Sequence, residues 1–329
     1  MPAVKLLNAN QPLLLVGGKP TIIPPQLQTE IERVATEFFS TSAMKPPNRL
    51  DLPFFAYGLF KPGQLGFDGI RELAQEVDLG ARMQGVLFER DGVPLLLDSS
   101  DGETGEVAGA LVTFHPDGAA AAYQKIAALE PERQYEWGTR RTAGGMEANV
   151  LISISSKGAH RIEETDWDGR KDPHFKEALA VVECVLSKGK YEMGSVERLM
   201  ELQMAYMLLW TAIERYTSLR YHLRTNVMGK LRQMATEPGF QDALKRYVSS
   251  ERSVYSTDAG EPEKLSGEKP KKALLYYYQV RSNVAHRGKA LMIDACLLEN
   301  CIGELLPIFR ATIDRAFEGC KYNATMPPR

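Results

Sequence analysis

Phe54-Phe55-Ala56-Tyr57-Gly58-Leu59-Phe60-Lys61-Pro62-Gly63 is the stretch on which the reading of the fold turns. Its run of apolar and aromatic residues suits a short buried strand, and Gly58 allows a sharp turn at the strand end. A turn of that kind presents backbone N–H groups as an anion site suited to a carboxylate. The same texture continues downstream. Gly85–Phe88, Leu95–Leu97, Val107–Phe114 and Asn149–Ser155 read as strands, with turns at Asp91-Gly92 and at His115-Pro116-Asp117-Gly118. One helix is predicted over Ala119–Leu129. Short strands interrupted by an isolated helix predict a small α+β barrel.

Upstream, residues 1–50 form a mixed extension. A helix is predicted there from Gln26 to Phe39, with Ile31, Val34 and Phe38 at helical spacing, and Lys45-Pro46-Pro47-Asn48 breaks the pattern. The β-rich unit occupies residues 51–157, residues 158–194 connect, and a helical unit follows at 195–320. In that second half, helices are predicted over Phe175–Leu186, Glu197–Arg224, Val227–Met234, Gln241–Val248, Lys271–Arg287 and Ala290–Phe317. The long one repeats Leu199, Leu202, Ala205, Leu209, Ala212, Ile213 and Tyr216 on one side. Ser249–Pro270 is rich in Ser, Gly, Glu and Lys and reads as a mobile loop.

The 329 residues carry a net charge of −2, but from Lys188 to Lys289 there are 18 Lys and Arg against 11 Asp and Glu, an excess of +7. A basic segment fits a polyanion such as RNA, as it fits solvated helix faces. The four cysteines Cys184, Cys296, Cys301 and Cys320 form no C-x-x-C pair, which favours free thiols in a reducing, cytoplasmic setting. No apolar run reaches the roughly 20 residues of a membrane span, so no membrane partner is expected. Ligand spacing among His115, His160, His174 and His222 is lacking, and GxGxxG and P-loop patterns are absent, so neither metal nor cofactor is expected.

Two constellations carry chemistry. In the first, Tyr57-Gly58-Leu59-Phe60 is followed in order by Gly85-Val86-Leu87, Gly92-Val93-Pro94, Val107-Ala108-Gly109 and a helix ending at Leu129-Glu130-Pro131, with Tyr135 close behind. This order resembles the γ-glutamylcyclotransferase (AIG2-like) family over residues 54–152. The resemblance implies that Glu130 is the general acid/base that takes a proton from the α-amine of a γ-glutamyl group. The freed amine then attacks the γ-carbonyl and releases 5-oxoproline and an amino acid. It also implies a small γ-glutamyl-like ligand held by Tyr57, Gly58, Leu59, Phe60 and Tyr135. Leu59 stands where the family carries Ser or Thr, and Ala127 where many members carry Asp.

The second constellation is Tyr276-Tyr277-Tyr278-Gln279-Val280-Arg281-Ser282-Asn283-Val284-Ala285-His286-Arg287-Gly288-Lys289. On a helix Arg281 and His286 stand about 140° apart, and Asn283 lies one turn before His286. The pattern resembles the R-x4–6-H motif of HEPN domains over residues 195–318. That resemblance implies metal-independent RNA cleavage at a composite site in a homodimer formed through the C-terminal helices. Arg281 would clamp phosphate, His286 would move a proton, Asn283 would position phosphate or His286, and Glu214 would orient Arg281.

The favoured expectation is therefore a HEPN-type ribonuclease effector joined to a γ-glutamylcyclotransferase-like domain that senses or modifies a ligand, a pairing suited to stress or defence. The alternatives are a γ-glutamylcyclotransferase acting through Glu130, with a helical domain that only dimerises, and a ligand-binding protein without catalysis.

Overall fold

The computed structural model describes residues 13–16, 19–22, 44–97, 105–130, 134–188, 195–221, 226–255, 262–287 and 293–321. The helix expected over Gln26–Phe39 lies outside the described residues, as does Gly288, expected to separate the last two helices.

The chain is mixed α+β. Fourteen strands are described: β1 (Leu13–Val16), β2 (Lys19–Ile22), β3 (Phe54–Ala56), β4 (Ala74–Asp78), β5 (Arg82–Gln84), β6 (Val86–Arg90), β7 (Val93–Leu97), β8 (Glu106–Ala108), β9 (Ala110–Phe114), β10 (Tyr135–Arg141), β11 (Glu147–Ser153), β12 (His160–Arg161), β13 (Arg252–Val254) and β14 (Glu263–Leu265). Helix α1 (Ala119–Leu129) interrupts them, and the second half is built from α2 (Glu177–Ser187), α3 (Val196–Arg220), α4 (Val227–Met234), α5 (Pro238–Tyr247), α6 (Pro270–Arg287) and α7 (Ile293–Gly319).

The expected barrel does not close. The largest sheet has the order β10-β11-β3-β9-β4, with only the β11–β3 pair parallel, and β12-β6-β7 and β5-β8 form separate small sheets. Strand β7 packs on β11 without a ladder between them. Side chains span this seam instead. The Tyr57 hydroxyl donates to the Leu151 carbonyl of β11 at 2.8 Å and accepts from the Leu96 amide of β7 at 3.2 Å. The Tyr135 hydroxyl donates to the Pro94 carbonyl at 2.8 Å. Pro94 itself has no N–H to give to a ladder, a local reason for the break.

Strand β10, which the sequence reading missed, pairs with β11 along its whole length from Tyr135↔Ser153 to Arg141↔Glu147. Its polar side chains conceal it, because most of them face solvent. Ser249–Pro270, expected as a mobile loop, carries the antiparallel hairpin β13–β14 packed on α6. Val254 and Leu265 are buried there, so two apolar side chains anchor a segment whose composition is otherwise polar.

Helix α3 organises the second half. Ser195 caps it, its Oγ accepting from the Arg198 amide at 3.0 Å. Leu202, Tyr206, Leu209, Trp210, Ile213 and Tyr216 are buried at i, i+3, i+4 and i+7 spacings, as the periodicity predicts. The two cores are continuous. Leu59 packs against both, Leu65 from the β-rich half sits in the helical core, and the Gly63 amide donates to the Cys320 carbonyl at 2.7 Å. Among the described residues no helix is long and apolar enough to cross a membrane.

The β6–β7 turn positions the site. Asp91 and Gly92 both have positive φ, 52° and 71°, as a two-residue type I′ hairpin requires. A Cβ at Gly92 would stand 2.7 Å from Arg215 Nη2 and 2.8 Å from Asp172 Oδ2. Gly92→Ala therefore costs about 1–2 kcal/mol for the left-handed backbone alone, plus displacement of Arg215. Urea denaturation is expected to show at least that loss, and a midpoint equal to wild type would mean that the turn relaxes freely.

Candidate active site between the two halves

A cavity of about 270 Å³ opens where the β-rich half meets α3. Its β-side wall is the strand-end loop Tyr57–Phe60, with Pro94, Leu129, Glu130, Gln134 and Tyr135 around it. Its helical wall is Arg215, Ser218 and Leu219 of α3, with Asp91 and Val93 of the hairpin beside them.

Glu130 sits at the C-cap of α1, where the backbone turns extended and carries the side chain out of the helical register. No hydrogen bond or ion pair to its carboxyl is found among the described residues, and burial alone pushes its pKa up from 4.5 to about 8. The residue is half-buried and keeps its accessible surface through the cavity it lines. A carboxylic acid that is mostly neutral at pH 7 and ionises one unit above it is suited to proton transfer in either direction.

Across the cavity, the amides of Gly58, Leu59 and Phe60 have no protein acceptor among the described residues, while the Gly58 carbonyl is held by the Lys61 amide at 2.9 Å and the Leu59 carbonyl by the Gly66 amide at 2.9 Å. The loop thus offers donors, while the Gly58 and Leu59 carbonyls are occupied. Gly58 is required by packing: a Cβ there would meet Pro94 Cγ at 2.6 Å. Tyr57 and Tyr135 line the cavity with their rings, but their hydroxyls are committed to the seam. Burial first, and the nearby Glu130 carboxylate in addition, raise both phenol pKa values well above the ordinary range. Their part is to hold the wall, and Leu59 and Phe60 contribute backbone and apolar surface.

Sequence reasoning missed the helical wall. Arg215 is fixed by a buried ion pair, its Nε donating to Asp172 Oδ2 at 2.8 Å, and by its Nη2 donating to the Asp91 carbonyl. The Asp172 side chain is 0% exposed and also accepts from the His174 amide at 2.9 Å. No local pattern signals these contacts, because Asp91, Asp172 and Arg215 come from three distant segments.

The second constellation is divided. Arg281 faces α3: its Nη2 donates to Glu214 Oε1 at 3.2 Å and its guanidinium lies 5.7 Å from the centre of the Tyr278 ring. Asn283 faces the β13–β14 side, donating to the Tyr255 carbonyl at 3.1 Å and accepting from Gln279 Nε2 at 3.0 Å. Position 286 belongs to α6, which continues through Arg287, so the helix keeps residues 281 and 286 about 140° apart. The His286 side chain lies outside the described residues. Asn283 borders a separate cleft of about 390 Å³ with Gln203, Ser253, Tyr255 and Asp294, which Arg281 does not line.

Comparisons with protein-family models, with curated proteins and with solved structures return no match.

Proposed function

We propose that the interdomain cavity is the active site of a γ-glutamylcyclotransferase-type reaction, with Glu130 as general acid/base. The observation that carries this reading is a carboxyl with a pKa of about 8 that shares a cavity with the amides of Gly58, Leu59 and Phe60, none of these groups having a partner among the described residues. Those amides take the α-carboxylate of a γ-glutamyl compound. Glu130 accepts a proton from the α-amine, and the amine nitrogen attacks the γ-carbonyl carbon, closing a five-membered ring. The bond from that carbon to the leaving nitrogen then breaks, and Glu130 returns a proton to the leaving amine. The products are 5-oxoproline and a free amine, with no water consumed. Incubation of the purified protein with γ-glutamyl-glycine tests this, with 5-oxoproline release as the expected result. No release across pH 6–9 would exclude the reaction for this substrate class.

A second reading, metal-independent RNA cleavage through Arg281 and His286, is favoured by the fixed Arg281. Its charge is held by Glu214 and the Tyr278 ring, as a phosphate clamp requires. The separation of Arg281 from Asn283 on α6 means that this reading needs residues from a second copy. Cleavage of a mixed RNA pool without added metal is expected from wild type and from neither His286→Ala nor Arg281→Ala. Cleavage that survives in both variants would remove the motif from the chemistry. A monomer by light scattering at micromolar concentration would count against a composite site.

A further inference from the structure

Ser218 stands in the last turn of α3 and lines the cavity, and Lys230 of α4 reaches its hydroxyl, with Nζ 3.3 Å from Oγ. Lys230 is only 8% exposed. No carboxylate pairs with it among the described residues, and Ser218 Oγ is the one hydrogen-bond partner found for it there. Burial pushes its pKa below the ordinary lysine value. An ammonium buried against a single hydroxyl loses more in hydration than that bond returns, so an apolar side chain would tie α3 to α4 at less cost. A neutral amine at the same place is a base within reach of a hydroxyl that opens on a cavity. The amides of Gly58, Leu59 and Phe60, donors without a protein acceptor among the described residues, belong to that same cavity.

We propose that Ser218 and Lys230 form a nucleophile–base dyad that hydrolyses small carboxylic esters in this cavity, an activity separate from the Glu130 reaction. Ser218 Oγ attacks the ester carbonyl carbon as its proton passes to Lys230 Nζ. The loop amides take the charge that develops on the carbonyl oxygen. The bond from that carbon to the alkoxy oxygen breaks, and Lys230 gives its proton to the departing alcohol. Water then attacks the acyl-serine carbonyl carbon and passes a proton to Lys230. The ester bond to Ser218 breaks, the carboxylic acid leaves, and Lys230 returns the proton to Oγ. One water is consumed, and Lys230 ends as it began. A cavity of about 270 Å³ walled by Leu59, Pro94, Leu129 and Leu219 suits a short apolar acyl group.

The test incubates the full chain with diisopropyl fluorophosphate, which captures activated serines, and locates the modified residue by peptide mass spectrometry. An adduct on Ser218 is expected. Wild type is also expected to release p-nitrophenol from p-nitrophenyl acetate, at a rate that Ser218→Ala lowers by about 100-fold or more. Lys230→Met removes the base together with the buried charge, so it is expected to melt no lower than wild type yet to label about 100-fold more slowly. Lys230→Arg keeps a charged donor beside Ser218 but has no neutral form to accept a proton. It is expected to lose labelling as well, whereas a purely structural tether would survive this change. No adduct on Ser218 overturns the assignment, as does labelling of Ser218 at the wild-type rate in either folded Lys230 variant. Lys230-dependent labelling of Ser218 without 5-oxoproline release from γ-glutamyl-glycine would sustain the dyad and refute the cyclotransferase reading.

Discussion

Glu130→Gln is expected to lower kcat for γ-glutamyl turnover by about 10³-fold, the usual scale for a positioned acid/base group, while leaving ligand binding measurable. The pH dependence separates this from a structural effect. Glu130 carries a pKa of about 8 in the folded protein against an ordinary 4.5, so kcat/KM of wild type rises with pH through the neutral range and levels off above about 8. The residual rate of the variant lacks that limb. Stability moves the other way. Between pH 4.5 and 8 the folded state keeps a proton that the unfolded state has lost, so the wild-type protein loses stability as pH rises across this window. Glutamine remains neutral throughout. The variant is therefore expected to match wild type near pH 4.5 and to melt above it by a margin that grows up to pH 8. A margin that shrinks with rising pH would mean that the Glu130 carboxyl gains a counter-ion in solution.

Arg220→Ala is expected to cost about 3 kcal/mol, within the range for removing one member of a buried ion pair, and to lower Tm by roughly 5 °C or more. Arg220 ends α3, where it is paired within the helical half and also reaches the β-rich half. Its Nε donates to Glu237 at 2.8 Å, its Nη1 to the Leu65 carbonyl at 3.3 Å, and its Nη2 to Asp68 at 3.3 Å. Most of the effect comes from Glu237, since Arg220 and Glu237 are 13% and 12% exposed whereas Asp68 is 44% exposed and worth little. The hydroxyls of Tyr216 and Tyr221 also donate to Glu237 and partly compensate its charge. Differential scanning calorimetry is expected to show a lowered transition as α3 loses its pair with Glu237 inside the helical half, together with the weaker contacts to Leu65 and Asp68. Glu237→Gln added to Arg220→Ala is expected to recover part of the loss, because no buried charge is then left unpaired. An unchanged Tm for Arg220→Ala would show that the hydroxyls of Tyr216 and Tyr221 hold the Glu237 carboxylate without it.

Gly92 and Arg220 both stand at the junction of the two halves, where the cavity takes Glu130 from one side and Arg215 from the other. The Glu214–Arg281 pair lies one residue from Arg215 on the same helix, so the cavity wall and the second constellation share α3 as a common support.

Legible in the sequence alone are the α+β class, the long apolar face of α3 and helix α1, and the two segments singled out there, Glu130 and the Tyr57–Phe60 loop, line one cavity. These are legible because helical periodicity, turn residues and the end of a helix are encoded within a few neighbouring positions. Strand β10 and the β13–β14 hairpin were hidden because their polar side chains face solvent, and a strand of that kind is defined by its partner's backbone more than by its own apolar pattern. Only the tertiary structure decided that the barrel stays open, that Tyr57 and Tyr135 spend their hydroxyls on the seam, and that Arg281 and Asn283 look in different directions. It alone brought Asp91, Asp172 and Arg215 to one point. Such contacts depend on how distant segments pack, and so does the burial that raises the Glu130 pKa.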